Sequence, residues 1–221
     1  MTDTLAEPPS ERARVRRAAS RGSYDTETVH AILDAGRMGH VGLVADGRPV
    51  VIPMLYGRDG DHLYLHGSVA SRLMRGLAGG LDTCLTVTLL DAYVLARSAF
   101  HHSLNYRSVV VFGVAEPVTG DEAVHGVRCI TEHLVPGRWD EVRAPSDVEM
   151  RQTSVLRMPI AEASAKVRGH GVVDEPEDID LPIWAGVLPL RLAVGDPVAD
   201  EALAPGLEVP PSVLRLDSAH V

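Results

Sequence analysis

Apolar and polar positions alternate along several short stretches of the chain, a pattern that predicts half-buried β-strands. Asp46-Gly47 joins two such stretches and predicts a hairpin, and Asp59-Gly60 marks the next turn. The predicted strands are 40–45, 48–56, 61–66, 83–89, 95–100, 106–116 and 154–160. Segment 106–116 gives the strongest prediction because it is rich in β-branched residues.

Three other segments repeat apolar residues at helical spacing. The first begins at Thr26 and ends near Gly36, the second covers about 70–78, and the third covers 121–134. The predicted apolar faces are Val29, Ile32 and Leu33 in the first helix, Leu73, Met74 and Leu77 in the second, and Val124, Val127, Ile130 and Leu134 in the third.

About six short strands with tight turns and two or three helices predict a mainly β fold, a closed antiparallel barrel with helical decorations. Strands and long helices do not alternate, and no GxGxxG or Walker motif occurs, so a Rossmann sheet is disfavoured. We divide the chain into a flexible leader (1–22), the barrel domain (23–160) and a Pro-rich C-terminal extension (161–221). The extension is expected to pack on the barrel or on a dimer partner.

Composition narrows the class of protein. The 221 residues carry a formal net charge of −9, which argues against a nucleic-acid binder that works by broad phosphate neutralisation. The basic cluster 12–17 is interpreted as a solvated arm. No apolar run approaches the roughly 18 residues of a membrane span, and the first residues do not resemble a secretory signal. Two cysteines without a CxxC motif favour a reduced, cytoplasmic location.

The segment 66–72 joins a predicted strand to a predicted helix and could bind phosphate. Gly67 permits close backbone approach, Ser68 and Ser71 offer hydroxyls, and Arg72 offers a guanidinium. An ordinary helix cap with a surface arginine explains the same residues equally well.

Two further features are open to two interpretations. Pro53 lies inside the strand VVIPMLY, which indicates an edge strand or a break that leaves the backbone near Met54 and Leu55 free for a ligand. Arg107 lies on an otherwise apolar strand face. It is interpreted either as a charged residue at a strand end or as a second cation for an anionic ligand.

No metal site is predicted. His62 and His66 share a strand face but lie about 13 Å apart on an extended strand, and no HExxH motif or Cys/His cluster occurs. A serine hydrolase is equally unsupported, because the chain has no GxSxG elbow.

The ordered motifs VVIPMLY, LYLHGSVASR, TCLTVTLL, SLNYRSVVVFG and WAGVLPL resemble the pyridoxamine 5′-phosphate oxidase-like flavoproteins over about residues 24–190. Among these, the chain is most similar to the flavin-nucleotide-binding branch that includes nitroimidazole-resistance proteins. The resemblance implies a six-stranded antiparallel Greek-key split barrel. It also implies a homodimer with FMN at the subunit interface.

The resemblance also implies a set of cofactor-binding residues. Ser68, Ser71 and Arg72 would hold the FMN phosphate, with help from Arg107 and its neighbour Ser108. The isoalloxazine ring would lie along Ile52, Pro53, Met54 and Leu55, with His66 nearby and Trp184 of a partner subunit covering it. No catalytic residue is assigned, because the flavin itself carries the chemistry.

The expected function is therefore that of an FMN-dependent oxidoreductase that acts on a small organic substrate, with a nitro-aromatic as one candidate. Pyridoxamine phosphate is disfavoured, because the C-terminal LRLDSAHV lacks the basic residues of the true oxidases. Two alternatives remain open: a non-catalytic flavin- or haem-binding carrier or sensor, and a deazaflavin-dependent reductase on the same barrel.

Overall fold

The computed structural model of the protein describes residues 7–216. The strands are β1 (Gly22–Ser23), β2 (Met38–Ala45), β3 (Arg48–Asp59), β4 (His62–Ser68), β5 (Asp82–Leu95), β6 (Ser103–Val114), β7 (Glu116–Val118), β8 (Thr153–Pro159), β9 (Glu162–Arg168) and β10 (Gly186–Pro189). The α-helices are α1 (Thr26–Ala35), α2 (Arg72–Ala78), α3 (Gly120–Leu134), α4 (Asp147–Gln152) and α5 (Pro211–Leu214). Short 3₁₀ turns occur at Ala19–Arg21, Ala99–His101, Trp139–Glu141 and Pro176–Asp178.

The chain forms two compact units, each built from three separate stretches. The first unit comprises Met1–Gly36, Thr86–Val111 and Glu162–Arg191, and the second comprises Arg37–Leu85, Phe112–Ala161 and Leu192–Val221. The chain passes from the second unit to the first within β5, and returns within β6.

In the second unit the strands are antiparallel in the order β2-β3-β4-β8-β7. The β2–β3 hairpin turns at Asp46 and Gly47, whose φ angles of 52° and 70° are those that a two-residue primed turn requires. Residues 48–55 of β3 pair with β2, whereas 56–59 pair with β4. The pairings among the described residues therefore leave one edge of the first part of β3 open.

Helix α3 lies unusually close to the sheet of the second unit. A Cβ on Gly57 of β3 would come within 2.5 Å of the Cys129 backbone, and one on Gly126 would come within 2.7 Å of Tyr64. Tyr64 forms a small buried cluster here with Ala123, Ile130 and Val155. Because both contact points are glycines, α3 packs closer to strands β3 and β4 than side chains there would allow.

In the first unit the strand order is β1-β9-β6-β5, and β10 pairs with the end of β5. The Asp25 side chain caps α1 by accepting a hydrogen bond from the Thr28 N–H, and Val29, Ile32 and Leu33 are buried as predicted. Near the end of β9, the buried Arg168 guanidinium donates to the side-chain oxygen of Asn105. The motif WAGVLPL, residues 184–190, contains β10.

The mainly β, antiparallel architecture with helical decorations is confirmed. The described residues contain ten strands instead of six, because β1, β7 and β10 are short additions and β9 had no clear sequence signal. The strand predicted at 95–100 is wrong: β5 ends at Leu95 and a 3₁₀ turn covers Ala99–His101. Helix α4 was not predicted. In the described part of the chain, no helix is long and apolar enough to cross a membrane.

The first six residues of the predicted leader lie outside the described part of the chain. The remainder belongs to the first unit, where Arg12 forms an ion pair with Glu162 and the Val15 N–H donates 2.8 Å to the Tyr24 hydroxyl. Ala13 between them is buried.

Candidate functional site

A cavity of about 560 Å³ lies in the second unit, between the β2–β3 hairpin and α2. Its walls are mostly apolar, formed by Leu43, Val44, Ala45, Val50, Ile52, Leu73, Gly76 and Leu81. Its polar lining residues are Asp46, Ser71, Arg72 and Arg75. Both the volume and the mixture of apolar walls with a few polar groups are typical of small-molecule sites, which usually measure about 300–1,000 Å³.

The turn from β4 to α2 places the polar side of this cavity. Ser71 is the N-cap of α2 and its hydroxyl accepts a hydrogen bond from the Met74 N–H at 3.4 Å. The Ser71 N–H donates 2.9 Å to the Ser68 carbonyl, which tightens the turn. Gly67 lies directly under Met74, where a Cβ would approach the Met74 Cγ to 2.8 Å. These contacts fix the first turn of α2, which carries Arg72.

The charge at the cavity favours an anion. The exposed side chains of Arg72 and Arg75 have no hydrogen-bond or ion-pair partner among the described residues, whereas Asp46 contributes one negative charge. The two arginines are three residues apart on α2 and therefore lie on the same side of the helix. Guanidinium groups without internal partners can form bidentate hydrogen bonds to phosphate.

The structure brings three of the predicted site residues together at this cavity: Ile52, Ser71 and Arg72. Pro53, Met54, Leu55, His66 and Ser68 belong to the same unit but do not line the cavity. Pro53 lies opposite His40 in the β2–β3 ladder, in the part of β3 that has an open edge. Both interpretations of Pro53 are compatible with this position, because the edge leaves backbone groups of β3 available.

His66 lies on β4 opposite Val155 of β8. Burial lowers the pKa of its imidazole, so the ring is neutral at pH 7. Its Nδ1 is buried and makes no hydrogen bond to the described residues. A neutral imidazole with an unsatisfied buried nitrogen is uncommon and suits a ligand-binding role.

The remaining predicted site residues belong to the first unit. Arg107 forms a bidentate ion pair with Asp91, with Nη2 2.8 Å from Oδ1, and the pKa of Arg107 is raised by this hydrogen bond. The Ser108 hydroxyl donates to the Lys166 carbonyl at 3.4 Å. Trp184 is 68% exposed, and its ring lies against Gly186. Their predicted roles stay predictions.

Sequence reasoning missed a second group of side chains that are of metal-ligating type and lie close together. Asp59, His125 and Cys129 place a carboxylate oxygen, an imidazole nitrogen and a sulfur within 4.8 Å of one another. Asp59 is 66 residues from His125 in the sequence, so no local motif includes all three. The spacing of four between His125 and Cys129 on α3 is the available signal, because such residues share a helix face.

Comparison with known proteins places the chain in a family. The sequence profile described as pyridoxamine 5′-phosphate oxidase matches residues 25–167. The flavocytochrome Anf3 from Azotobacter vinelandii is 41% identical, with a TM-score of 0.89 over 95% of this chain and 98% of its own. The FAD and haem binding protein from Mycobacterium smegmatis is 36% identical, with a TM-score of 0.87 over 90% of this chain and 98% of its own.

A Bacteroides thetaiotaomicron structure assigned to 5-nitroimidazole antibiotic resistance is 21% identical, with a TM-score of 0.57 over 77% of this chain and 90% of its own. At that identity the likeness shows the fold alone. No curated protein matches the chain. The family profile covers more than half of the residues, and two solved structures resemble the chain along nearly all of its length. The chain belongs to the pyridoxamine 5′-phosphate oxidase family, as the resemblance of its motifs predicted.

Proposed function

We propose that the protein is a flavin-binding redox protein that anchors the flavin phosphates at the cavity between the β2–β3 hairpin and α2. The observation that carries this proposal is the pair of arginines, Arg72 and Arg75, whose guanidinium groups have no partner among the described residues. Membership of the family and the likeness to the Azotobacter flavocytochrome support it independently.

The apolar walls of the cavity and the open edge of β3 complete the site. A flavin supplies hydride and electron transfer when it is bound, whereas the protein binds and orients it. Ile52 lies both in the cavity wall and in the part of β3 that lacks a second neighbour, so its backbone can meet a heterocycle. Ser71 and Arg72 lie at the opposite wall and hold the phosphate end.

Two arginines suit two phosphates better than one. Arg72 and Arg75 are one helical turn apart, a spacing that lets each guanidinium meet a different phosphate of a dinucleotide. The Mycobacterium relative is named for FAD and haem. We therefore favour FAD over the FMN that the motif resemblance implied.

The experiment is to release the ligand from the purified full-length protein and identify it by mass spectrometry. FAD is expected, FMN would restrict the proposal to one phosphate, and a deazaflavin or no flavin would refute it. Arg72→Ala and Arg75→Ala should each weaken FAD binding about ten- to a hundredfold, because each removes a charge-assisted hydrogen bond. Arg151→Ala, which removes an exposed arginine of α4 outside the cavity, is the matched control.

One observation supports haem as a second ligand. His66 combines a neutral imidazole with a buried, unsatisfied Nδ1, and neutral imidazoles are common axial ligands of haem iron. Of the two similar solved structures, one is named a flavocytochrome and the other an FAD and haem binding protein. Haem reconstitution should give a Soret band that His66→Ala abolishes while flavin stays bound, and an unchanged band would remove His66 from this role.

We further propose that the protein acts as a homodimer. Val51 on β3 is 62% exposed, and Trp184 and Tyr93 of the first unit are also exposed. A second copy of the chain would remove such exposed apolar side chains from water, and the motif resemblance implies a flavin at the interface between copies. Analytical ultracentrifugation should give twice the 23.7 kDa monomer mass, whereas a monomer with flavin bound would contradict the proposal.

Catalytic turnover is the last part of the proposed function. An oxidoreductase should use a nicotinamide donor to reduce a small organic acceptor, and a nitro-aromatic is the first to try. A carrier or sensor would bind and release electrons without sustained turnover. Anaerobic photoreduction of the bound flavin, followed by addition of each acceptor, separates reoxidation by the acceptor from the absence of reaction.

A further inference from the structure

Three metal-binding side chains converge at the end of β3, next to α3. His125 Nε2 lies 2.9 Å from Asp59 Oδ2 and 3.3 Å from Cys129 Sγ. His125 and Cys129 are four residues apart on α3, and Asp59 is the last residue of β3. A cavity of about 360 Å³ opens beside them, with Arg58, Arg128, Glu132 and His133 completing its lining.

The backbone holds these groups in position. Gly57 allows α3 to approach β3 so closely that a Cβ there would meet the Cys129 carbonyl carbon at 2.5 Å. The His125 ring packs edge-on against Tyr64, with ring centroids 5.6 Å apart. Tyr64 is itself buried, so the imidazole rests on a rigid surface. Ligands that are already in place reduce the entropy lost when a metal binds.

The arrangement does not fit a catalytic relay. In a relay from carboxylate to imidazole to thiol, the carboxylate binds one ring nitrogen and the thiol the other. Here Asp59 and Cys129 both face the same nitrogen of His125, which can satisfy one of them with a single proton. A cation placed between the three atoms would satisfy all of them.

The thiol also lacks the environment of a nucleophile. Burial, followed by the nearby Asp59 carboxylate, raises the pKa of Cys129 to about 11. Nucleophilic cysteines have the opposite shift, because neighbouring positive charge stabilises their thiolate.

We propose that Asp59, His125 and Cys129 form a binding site for a borderline-soft divalent transition metal, of which Zn²⁺ is the representative. One sulfur, one nitrogen and one oxygen ligand match the preferences of Zn²⁺ and do not suit Mg²⁺ or Ca²⁺. Three protein ligands leave the fourth tetrahedral position to water or to a small ligand in the adjoining cavity.

The residues that surround the three ligands interact with other groups of the protein. Arg58 donates 2.8 Å to the Gly60 carbonyl, and Arg128 Nη2 lies 3.9 Å from Asp140. Glu132 accepts hydrogen bonds from the N–H groups of Gly137 and Trp139. The His133 ring lies against Tyr56 at an interplanar angle of 41°. A divalent cation with a thiolate and a carboxylate forms a group with no net charge, so the two arginines impose little repulsion.

The test uses the full-length protein as purified, freed of adventitious metal with a chelator. Equilibrium dialysis against Zn²⁺, with elemental analysis, measures the stoichiometry. Alkylation followed by peptide mass mapping measures the protection of Cys129. We expect one Zn²⁺ per chain, protection of Cys129, and no protection by Mg²⁺ at the same concentration. The bound Zn²⁺ should show one sulfur at about 2.3 Å by X-ray absorption.

Variants separate this site from others. Cys129→Ser, His125→Gln and Asp59→Asn should each weaken Zn²⁺ binding at least tenfold, whereas Cys84→Ser, which alters the other cysteine, should leave it unchanged. Asp59 is exposed, so Asp59→Asn should not destabilise the hydrophobic core. Absence of stoichiometric Zn²⁺ binding, or binding that survives both Cys129→Ser and His125→Gln, overturns the proposal. Loss of bound flavin has no bearing on either result.

Discussion

The guanidinium of Arg107 is clamped by the carboxylate of Asp91, with Nη2 2.8 Å from Oδ1 and Nε 3.1 Å from Oδ2. Arg72 on α2, in contrast, has no partner among the described residues. The two arginines that the sequence suggested for one phosphate thus differ in their electrostatic state. One is already neutralised by a carboxylate, and the other is available to an anion.

This difference predicts the effect of two matched substitutions on flavin affinity. Arg107→Ala should change the dissociation constant less than about threefold, because its charge is already compensated by Asp91. Arg72→Ala should raise the constant about ten- to a hundredfold. Fluorescence titration of FAD into the apoprotein measures both. Equal losses in the two variants would restore Arg107 to the phosphate site.

The close approach of α3 to β3 predicts a large stability loss for Gly57→Ala. The new Cβ would lie 2.5 Å from the Cys129 carbonyl carbon, and helix backbone cannot move away as a flexible side chain can. We expect a loss of about 1–3 kcal/mol or more, seen as a lower thermal midpoint. Gly169→Ala, whose Cβ would meet nothing within 4 Å, is the control and should leave the midpoint unchanged within error.

The raised pKa of Cys129 predicts the pH dependence of its alkylation in metal-free protein. Between pH 7 and 9.5 the rate should rise about tenfold per pH unit without levelling, since the thiolate fraction keeps growing until the pKa of about 11 is approached. A thiol in the unfolded chain should level off near its usual pKa of about 8.5. Asp59→Asn should raise the rate at a given pH, because the carboxylate contributes to the shift.

The buried pair of Arg168 and Asn105 predicts an asymmetry between two substitutions. Asn105→Ala leaves the guanidinium without its side-chain acceptor, with one long contact to the Leu104 carbonyl remaining, and should cost more than Arg168→Met. Removing the arginine instead leaves a neutral amide unsatisfied, at a cost of about 1–3 kcal/mol. Chemical denaturation measures both free energies of unfolding. A larger loss for Arg168→Met would show that packing of the arginine stem outweighs its charge.

Local signals explain which elements could be predicted. Asp46-Gly47 marked a hairpin because its backbone requires positive φ angles, and α1 was placed on its buried face by three apolar residues at helical spacing. Strand β9 had no such signal, because its buried positions include the small residues Ala163, Ser164 and Ala165. The strand predicted at 95–100 was wrong because Leu95 is the last residue of β5 and a 3₁₀ turn follows at Ala99–His101.

Close packing explains what the sequence could not show on α3. The apolar stripe predicted Leu134 in the core, yet Leu134 is exposed and the buried positions include Ala123 and Gly126. Small residues face the sheet because the helix lies almost against Tyr64. The same contact brings Cys129 and His125 to Asp59, so the metal-binding geometry depends on a tertiary approach that periodicity does not encode.

For the phosphate site, the turn residues Ser71 and Arg72 were identifiable from type and order. Arg75 was not, because an arginine on an exposed helix face is usually a solvated charge. Its relevance follows from the β2–β3 hairpin, whose residues form the opposite wall of the cavity.

Each compact unit is assembled from three stretches that are distant in the chain, with β5 and β6 carrying the polypeptide across. No single continuous segment of the sequence therefore contains either unit alone. Contacts between residues so far apart in sequence form only after a large loop has closed, and closing that loop costs conformational entropy. Folding is slower as a result. Synthesis on the ribosome must reach residue 162 before the last stretch of the first unit is available. The second unit also needs the stretch that begins at Leu192, so both units finish folding late in synthesis or after it.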